Sequence, residues 1–180
     1  MRTMVFLLNV AMAIVIFPVA SDAQGPADVE GWRSAKWGMS EAEILEAFKG
    51  EARRLDEPVG FSKEGQATVG IPDYSIDGAW YRVLFIFDGQ GKLNAINIRP
   101  REKGSEGIYR SLEKLLMEKY GPLSYKNEER KRGGDKNWTA RWNFPKTVIS
   151  LRYIYEGPLP NVIQWVILHY QPRSKEADKL

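Results

Sequence analysis

Cysteine is absent from the 180 residues. That removes disulfides, thiol nucleophiles, iron–sulfur clusters and cysteine zinc sites from consideration. Histidine occurs once, as His169, so a His-rich metal site has no second imidazole to draw on. His169 stands near the end of a predicted strand, between Leu168 and Tyr170. There it reads as a strand-end residue or the partner of a nearby acid, not as a general base. Long apolar runs are also missing: the longest, Val5 to Phe17, is broken by Asn9 and falls short of the roughly 20 residues that span a bilayer. Charge of one sign is scarce too. With 26 basic and 23 acidic residues the net charge is +3, and a nucleic-acid binder usually concentrates its basic residues on one patch. The densest basic stretch, Lys126 to Lys136, is interleaved with Glu128, Glu129 and Asp135 and contains Gly133-Gly134; it reads as a solvated loop.

The N-terminus carries a clear pattern. Arg2 supplies a positive start, the apolar run follows, Pro18 ends it, and Ser21-Asp22-Ala23 offers small residues at the positions a signal peptidase reads. This is the layout of a cleaved secretory signal, residues 1–23, with Ala20 as the alternative cleavage point. No cysteine follows it, which argues against a lipoprotein anchor. The expectation is an exported protein, periplasmic before extracellular, with a mature chain of 24–180 and no membrane span. An apolar share of 43% suits a globular domain, and a chain of this length can bury a core without staples.

Two helices are predicted. Ser40 and Glu43 form a capping box before Ile44, Leu45 and Phe48. Ser105 caps a second helix, whose stripe is Ile108, Leu112, Leu115, Leu116 and Tyr120, ended by Gly121-Pro122. Six strands are predicted: Gln66 to Ile71, stopped by Pro72, then Tyr81 to Phe87, Leu93 to Ile98, Asn137 to Phe144, Thr147 to Tyr155 and Asn161 to Tyr170. The glycine-bearing loop Asp88 to Lys92 reads as a hairpin turn. The order is helix–three strands twice, and Ala47-Phe48-Lys49-Gly50 matches Glu118-Lys119-Tyr120-Gly121 in pattern. We therefore expect an α+β domain of tandem helix–three-strand pseudo-repeats, about 32–100 and 101–171. Its antiparallel sheet should carry both helices on one face.

Trp37-Gly38-Met39-Ser40 before a short helix, together with this order of elements, resembles the β-lactamase-inhibitor-protein-like group of small exported bacterial domains. More distantly it resembles the small outer-membrane assembly lipoproteins. The chain lacks the cysteines of both. The resemblance implies a sheet that binds other proteins, not a catalyst.

No catalytic, cofactor or metal residue emerges. Asp73 and Asp77 lie beside Pro72 and Gly78, in turn chemistry. Gly89-Gln90-Gly91 precedes a strand, whereas a phosphate cradle opens onto a helix. Asn137-Trp138-Thr139 matches a glycosylation sequon that matters only in a eukaryotic secretory pathway. The aromatic and arginine content of the second half is more informative. Trp138 and Trp142 are four apart on one predicted strand and share a side, with Arg141 between them. Arg152 and Tyr153 lie on the next strand and Trp165 on the last. Trp, Tyr and Arg are the residue types enriched at binding hot spots. These six are candidates for contact with another envelope protein; the competing reading makes the rings core beneath the helices. A non-enzymatic binding module follows, with a small-ligand groove between sheet and helices as the alternative.

Overall fold

The computed structural model describes residues 28–61, 63–131, 133–157 and 160–174. The expected signal, residues 1–23, lies outside the described residues. The chain opens with a small ribbon of β1 (Gly31–Trp32) and β2 (Ala35–Lys36), then α1 (Glu41–Ala47). A meander follows: β3 (Arg53–Phe61), β4 (Gly65–Ile76), β5 (Ala79–Phe87) and β6 (Leu93–Pro100). After α2 (Glu106–Tyr120) comes a second: β7 (Tyr125–Arg130), β8 (Lys136–Asn143), β9 (Thr147–Glu156) and β10 (Ile163–Pro172). One eight-stranded antiparallel sheet results, in the order β3-β4-β5-β6-β10-β9-β8-β7. The meanders meet where Asn97 opposes His169 and Ile98 opposes Leu168.

This overturns the expected tandem helix–three-strand repeats with both helices on one face. The architecture is a single dominant sheet of eight strands, and the helices among the described residues are α1, 7 residues, and α2, 15 residues. The unforeseen strands of this sheet are β3 and β7, its two edges. β7 is exposed along its whole length and β3 along most of it, so neither shows the apolar alternation that announces a strand. Charges and Pro58 on these edges are what keeps an edge from pairing with another sheet. The stretch read as a solvated loop, Lys126 to Lys136, thus begins inside β7, which runs to Arg130, and ends on the first residue of β8. β4 also runs through Pro72 to Ile76, because a register shift between Ile71 and Tyr74 gives the ring a place outside the regular ladder.

Local signals explain the element ends. Ser40 and Glu43 form the capping box of α1, and the Ser105 side chain accepts from the Ile108 amide at the start of α2. Gly121 closes α2 with φ of 81°, a conformation glycine adopts without steric cost. Asp77 and Gly78, with φ of 50° and 76°, turn β4 into β5.

The main core lies on one face of the sheet, where alternate strand residues meet Ile44 and Phe48 from the α1 region and Tyr109, Leu112 and Leu116 from α2. Trp32 stacks on Phe48 at 5.8 Å, and Trp37 Nε1 donates to Thr147 Oγ1 at 2.9 Å. These contacts tie the N-terminal ribbon to the domain. Each fully buried large apolar side chain contributes about 1.5–3 kcal/mol. Beside this core, Arg110 and Lys126 are held by Glu113 and Glu128.

Candidate functional site

The other face of the sheet, here the outer face, is organised by strand register. Across β10, β9 and β8, His169 opposes Ser150, which opposes Arg141. One step along, Ile167 opposes Arg152, which opposes Thr139. A further step aligns Trp165, Ile154 and Asn137. On the β6 side Asn97 opposes both His169 and Leu84, and Arg99 opposes Arg82. Since side chains alternate between faces, these residues share the face opposite the core. Of these, Asn97, Arg141, Arg152 and His169 line a concavity of about 590 Å³ together with Phe61 and Glu64, while Arg99 and Trp165 lie outside it.

At its centre is a small polar cluster. Asn97 is 3% exposed and its Nδ2 lies 3.3 Å from His169 Nδ1. Its Oδ1 accepts from Arg99 Nε at 2.6 Å. Arg99 Cζ sits 5.4 Å from the centre of the Phe61 ring, within cation–π range. Burial lowers the pKa of Arg99. Burial also lowers that of His169, with Arg99 and Arg152 acting in the same direction and Glu64 opposing them. His169 Nε2 faces Glu64 Oε1 at 3.4 Å but makes no hydrogen bond, and Asn137 Oδ1 is likewise buried without one. Such atoms are rare in folded proteins and call for a partner.

A second concavity, of about 520 Å³, adjoins it between the segments Arg99 to Gly104 and Val162 to Val166. Gly104 is required at its floor: a Cβ there would lie 2.5 Å from the Val166 amide nitrogen. Trp165, 53% exposed, stands at this rim, and Trp80, 56% exposed, lies on the outer face of β5.

The six residues expected to contact a partner do not form one surface. Trp138, Trp142 and Tyr153 are buried at 0%, 1% and 3% exposure. Trp138 packs against Tyr109 and Tyr153 with ring centres 5.6 and 5.3 Å apart, and Trp142 Nε1 donates to the Gly121 carbonyl at 3.0 Å. They are core, on the helix side. Arg141, Arg152 and Trp165 are exposed on the outer face. Arg141 Cζ lies 5.5 Å from the Tyr125 ring. Sequence reasoning missed Trp80, Arg82, Asn97 and Arg99. The signal was available: Arg82 interrupts the apolar run Tyr81 to Phe87, and Asn97 and Arg99 alternate with Ile96 and Ile98.

The arrangement holds a fixed set of hydrogen-bond donors on one face of the sheet. Among the described residues no group of three or more His, Cys, Asp or Glu could hold a metal, and no helix is long and apolar enough to cross a membrane. No protein-family model, curated protein or solved structure matches this chain.

Proposed function

We propose that this protein is an exported binding module, without catalytic activity, that docks a protein partner on the outer face of β6, β10, β9 and β8. The observation that carries this reading is an uncovered sheet face. It combines arginines that have no acidic partner with an exposed Trp165 and buried polar atoms that lack hydrogen bonds. Arg and Trp supply most of the affinity at protein interfaces. The resemblance to β-lactamase-inhibitor-like domains supports a sheet used for protein contact, and the N-terminal signal pattern supports export. A photocrosslinking residue at Thr139, on this face beside Arg152, tests the reading in the source cell against the same residue at Lys114, exposed on α2. One discrete crosslinked protein from Thr139 and none from Lys114 is the expected result. The same product from both positions, or none from Thr139, overturns it.

A second reading rests on a different observation. A groove of about 730 Å³ lies at the C-terminal end of α2, lined by Val29, Tyr120, Leu123, Trp142 and Phe144 among others. Its apolar walls suit a small apolar ligand. Saturable uptake of an apolar fluorescent dye, lost in Leu123→Asp with the fold retained, would favour this site over the sheet face.

A further inference from the structure

We propose that Arg99 and Arg152, set on either side of Ile167, form a carboxylate-binding subsite for an acidic segment of the partner protein. This deepens the sheet-face reading and rests on it for the identity of the occupant.

The geometry comes from register. Ile167 opposes Arg152 directly, and extending the β6–β10 pairing by one residue places Ile167 opposite Arg99. The two arginines are therefore two strand spacings apart, about 10 Å between backbones. Long guanidinium side chains projecting from the same face can converge on one acidic segment across that span. Arg99 is already oriented: its Nε is held by Asn97 and its guanidinium lies near Phe61. Its terminal nitrogens, the ones that grip a carboxylate in fork geometry, have no partner among the described residues.

Charge accounting points the same way. Several cations elsewhere are neutralised within the chain: Arg33 by Glu51, Arg54 by Glu41, Arg110 and Lys126 by Glu113 and Glu128, and Lys146 by Asp28 and Glu30; the exposed Arg53, Arg130 and Arg141 have no carboxylate within ion-pair distance among the described residues. Among the described residues Arg82, Arg99 and Arg152 have no carboxylate within ion-pair distance. Arg82 and Arg99 are also directly opposed, an arrangement of like charges that destabilises a sheet. Burial depresses the pKa of Arg99, the signature of a cation whose charge is not compensated internally. An incoming carboxylate supplies the missing charge.

The neighbouring groups select among anions. Glu64 stands beside His169, so a fixed negative charge borders the subsite and disfavours a phosphate dianion more than a carboxylate. Exposed Trp165, one row further along the face, gives an apolar side chain of the same segment somewhere to land. A protein segment offers both features.

Fluorescence anisotropy of a labelled Glu-rich peptide on the full chain tests the proposal. Arg99→Gln and Arg152→Gln should each weaken binding about tenfold, the worth of a charge-assisted hydrogen bond. Arg53→Gln, on the distant edge strand, should leave binding unchanged. Arg152→Lys should recover only part of the affinity, because an ammonium cannot make the fork. Equal losses in all the Gln variants would mean diffuse charge attraction and would overturn the subsite. So would inorganic phosphate or anionic phospholipid vesicles bound with the same dependence on Arg99 and Arg152. If Arg99→Gln fails to fold, the Arg152 pair decides alone. Peptide binding that depends on these arginines, with no Thr139 crosslink in cells, leaves the subsite standing and removes the protein-partner reading. A Thr139 crosslink without peptide binding does the reverse.

Discussion

The outer face of the sheet is covered in part on one side of the β6–β10 junction, where Trp80 and Arg82 stay exposed, and bare on the other. Over β4, β5 and β6, the residues Ala67, Leu84, Ile86 and Ala95 are buried, with Leu55 and Phe61 of β3 packed against them. Over β10, β9 and β8 the corresponding positions hold His169, Ser150, Arg152, Thr139 and Arg141. The edge strands explain the difference. β3 departs from regular register between Arg54 and Val59 and brings two apolar side chains over its neighbours. β7 presents Tyr125, Asn127 and Glu129 to the corresponding rows and covers nothing. A sheet needs only one buried face to be stable. The second face is therefore free to be closed where an edge strand allows it and left open where it does not.

The comparison can be broken by substitution. The largest effect belongs to the core face: Trp138→Ala should cost about 3–5 kcal/mol in urea unfolding, while its neighbour Thr139→Ala on the bare face should stay within about 0.5 kcal/mol. On the outer face itself, Ile86→Ala in the covered half should cost about 2–4 kcal/mol. Ile167→Ala in the bare half should cost less than about 1 kcal/mol. Comparable losses at Ile86 and Ile167 would mean that the two halves are not differently packed.

Acid titration separates the paired charges of the helix side from the unpaired ones outside. Hydrogen bonds from Arg110, and secondarily Lys126, hold the Glu128 carboxyl down at about 2, against an ordinary value of 4.5. A carboxylate with a lowered folded-state pKa stabilises fully above its unfolded value and loses that contribution as pH falls. Stability should therefore drop between about pH 4.5 and 2, by about 1 kcal/mol once solvent screening is allowed for, and Glu128→Gln should flatten that limb. His169 gives the smallest and earliest effect. Its pKa is lowered by burial from 6.5, so the unfolded chain takes up its proton first. Stability should begin to fall as pH drops below about 6.5, and His169→Gln should remove this early slope.

Much of the scaffold is legible in the sequence, and much of the site is not. The capping box of Ser40 and Glu43, the cap at Ser105 and the hairpin at Asp88 all rest on short-range chemistry that a linear reading detects. The same reading finds the period-two runs of β5, β6, β8, β9 and β10. β3 and β7 escape it because a wet edge strand has no alternation to detect. Local pattern places Trp138, Trp142 and Tyr153 on one side and Arg141 and Arg152 on the other. Which side is buried depends on where α2 packs, a fact no strand carries by itself. The Asn97–His169 contact and the opposition of Arg82 and Arg99 depend on register between strands, which alternation alone does not specify.

The junction of β6 and β10 has a kinetic consequence. Strands within each meander follow one another through short turns, but Asn97 and His169 are separated by 72 residues. Closing a long loop carries an entropic penalty before any contact is gained, and distant pairings slow folding. Hairpins form in microseconds, so the two meanders can zip early, while the continuous sheet exists only once β6 has found β10. Asn97, the residue that orients Arg99, pairs across that junction. The outer face around Arg99 thus matures with the last long-range pairing, so that the proposed subsite exists only on chains whose assembly is complete.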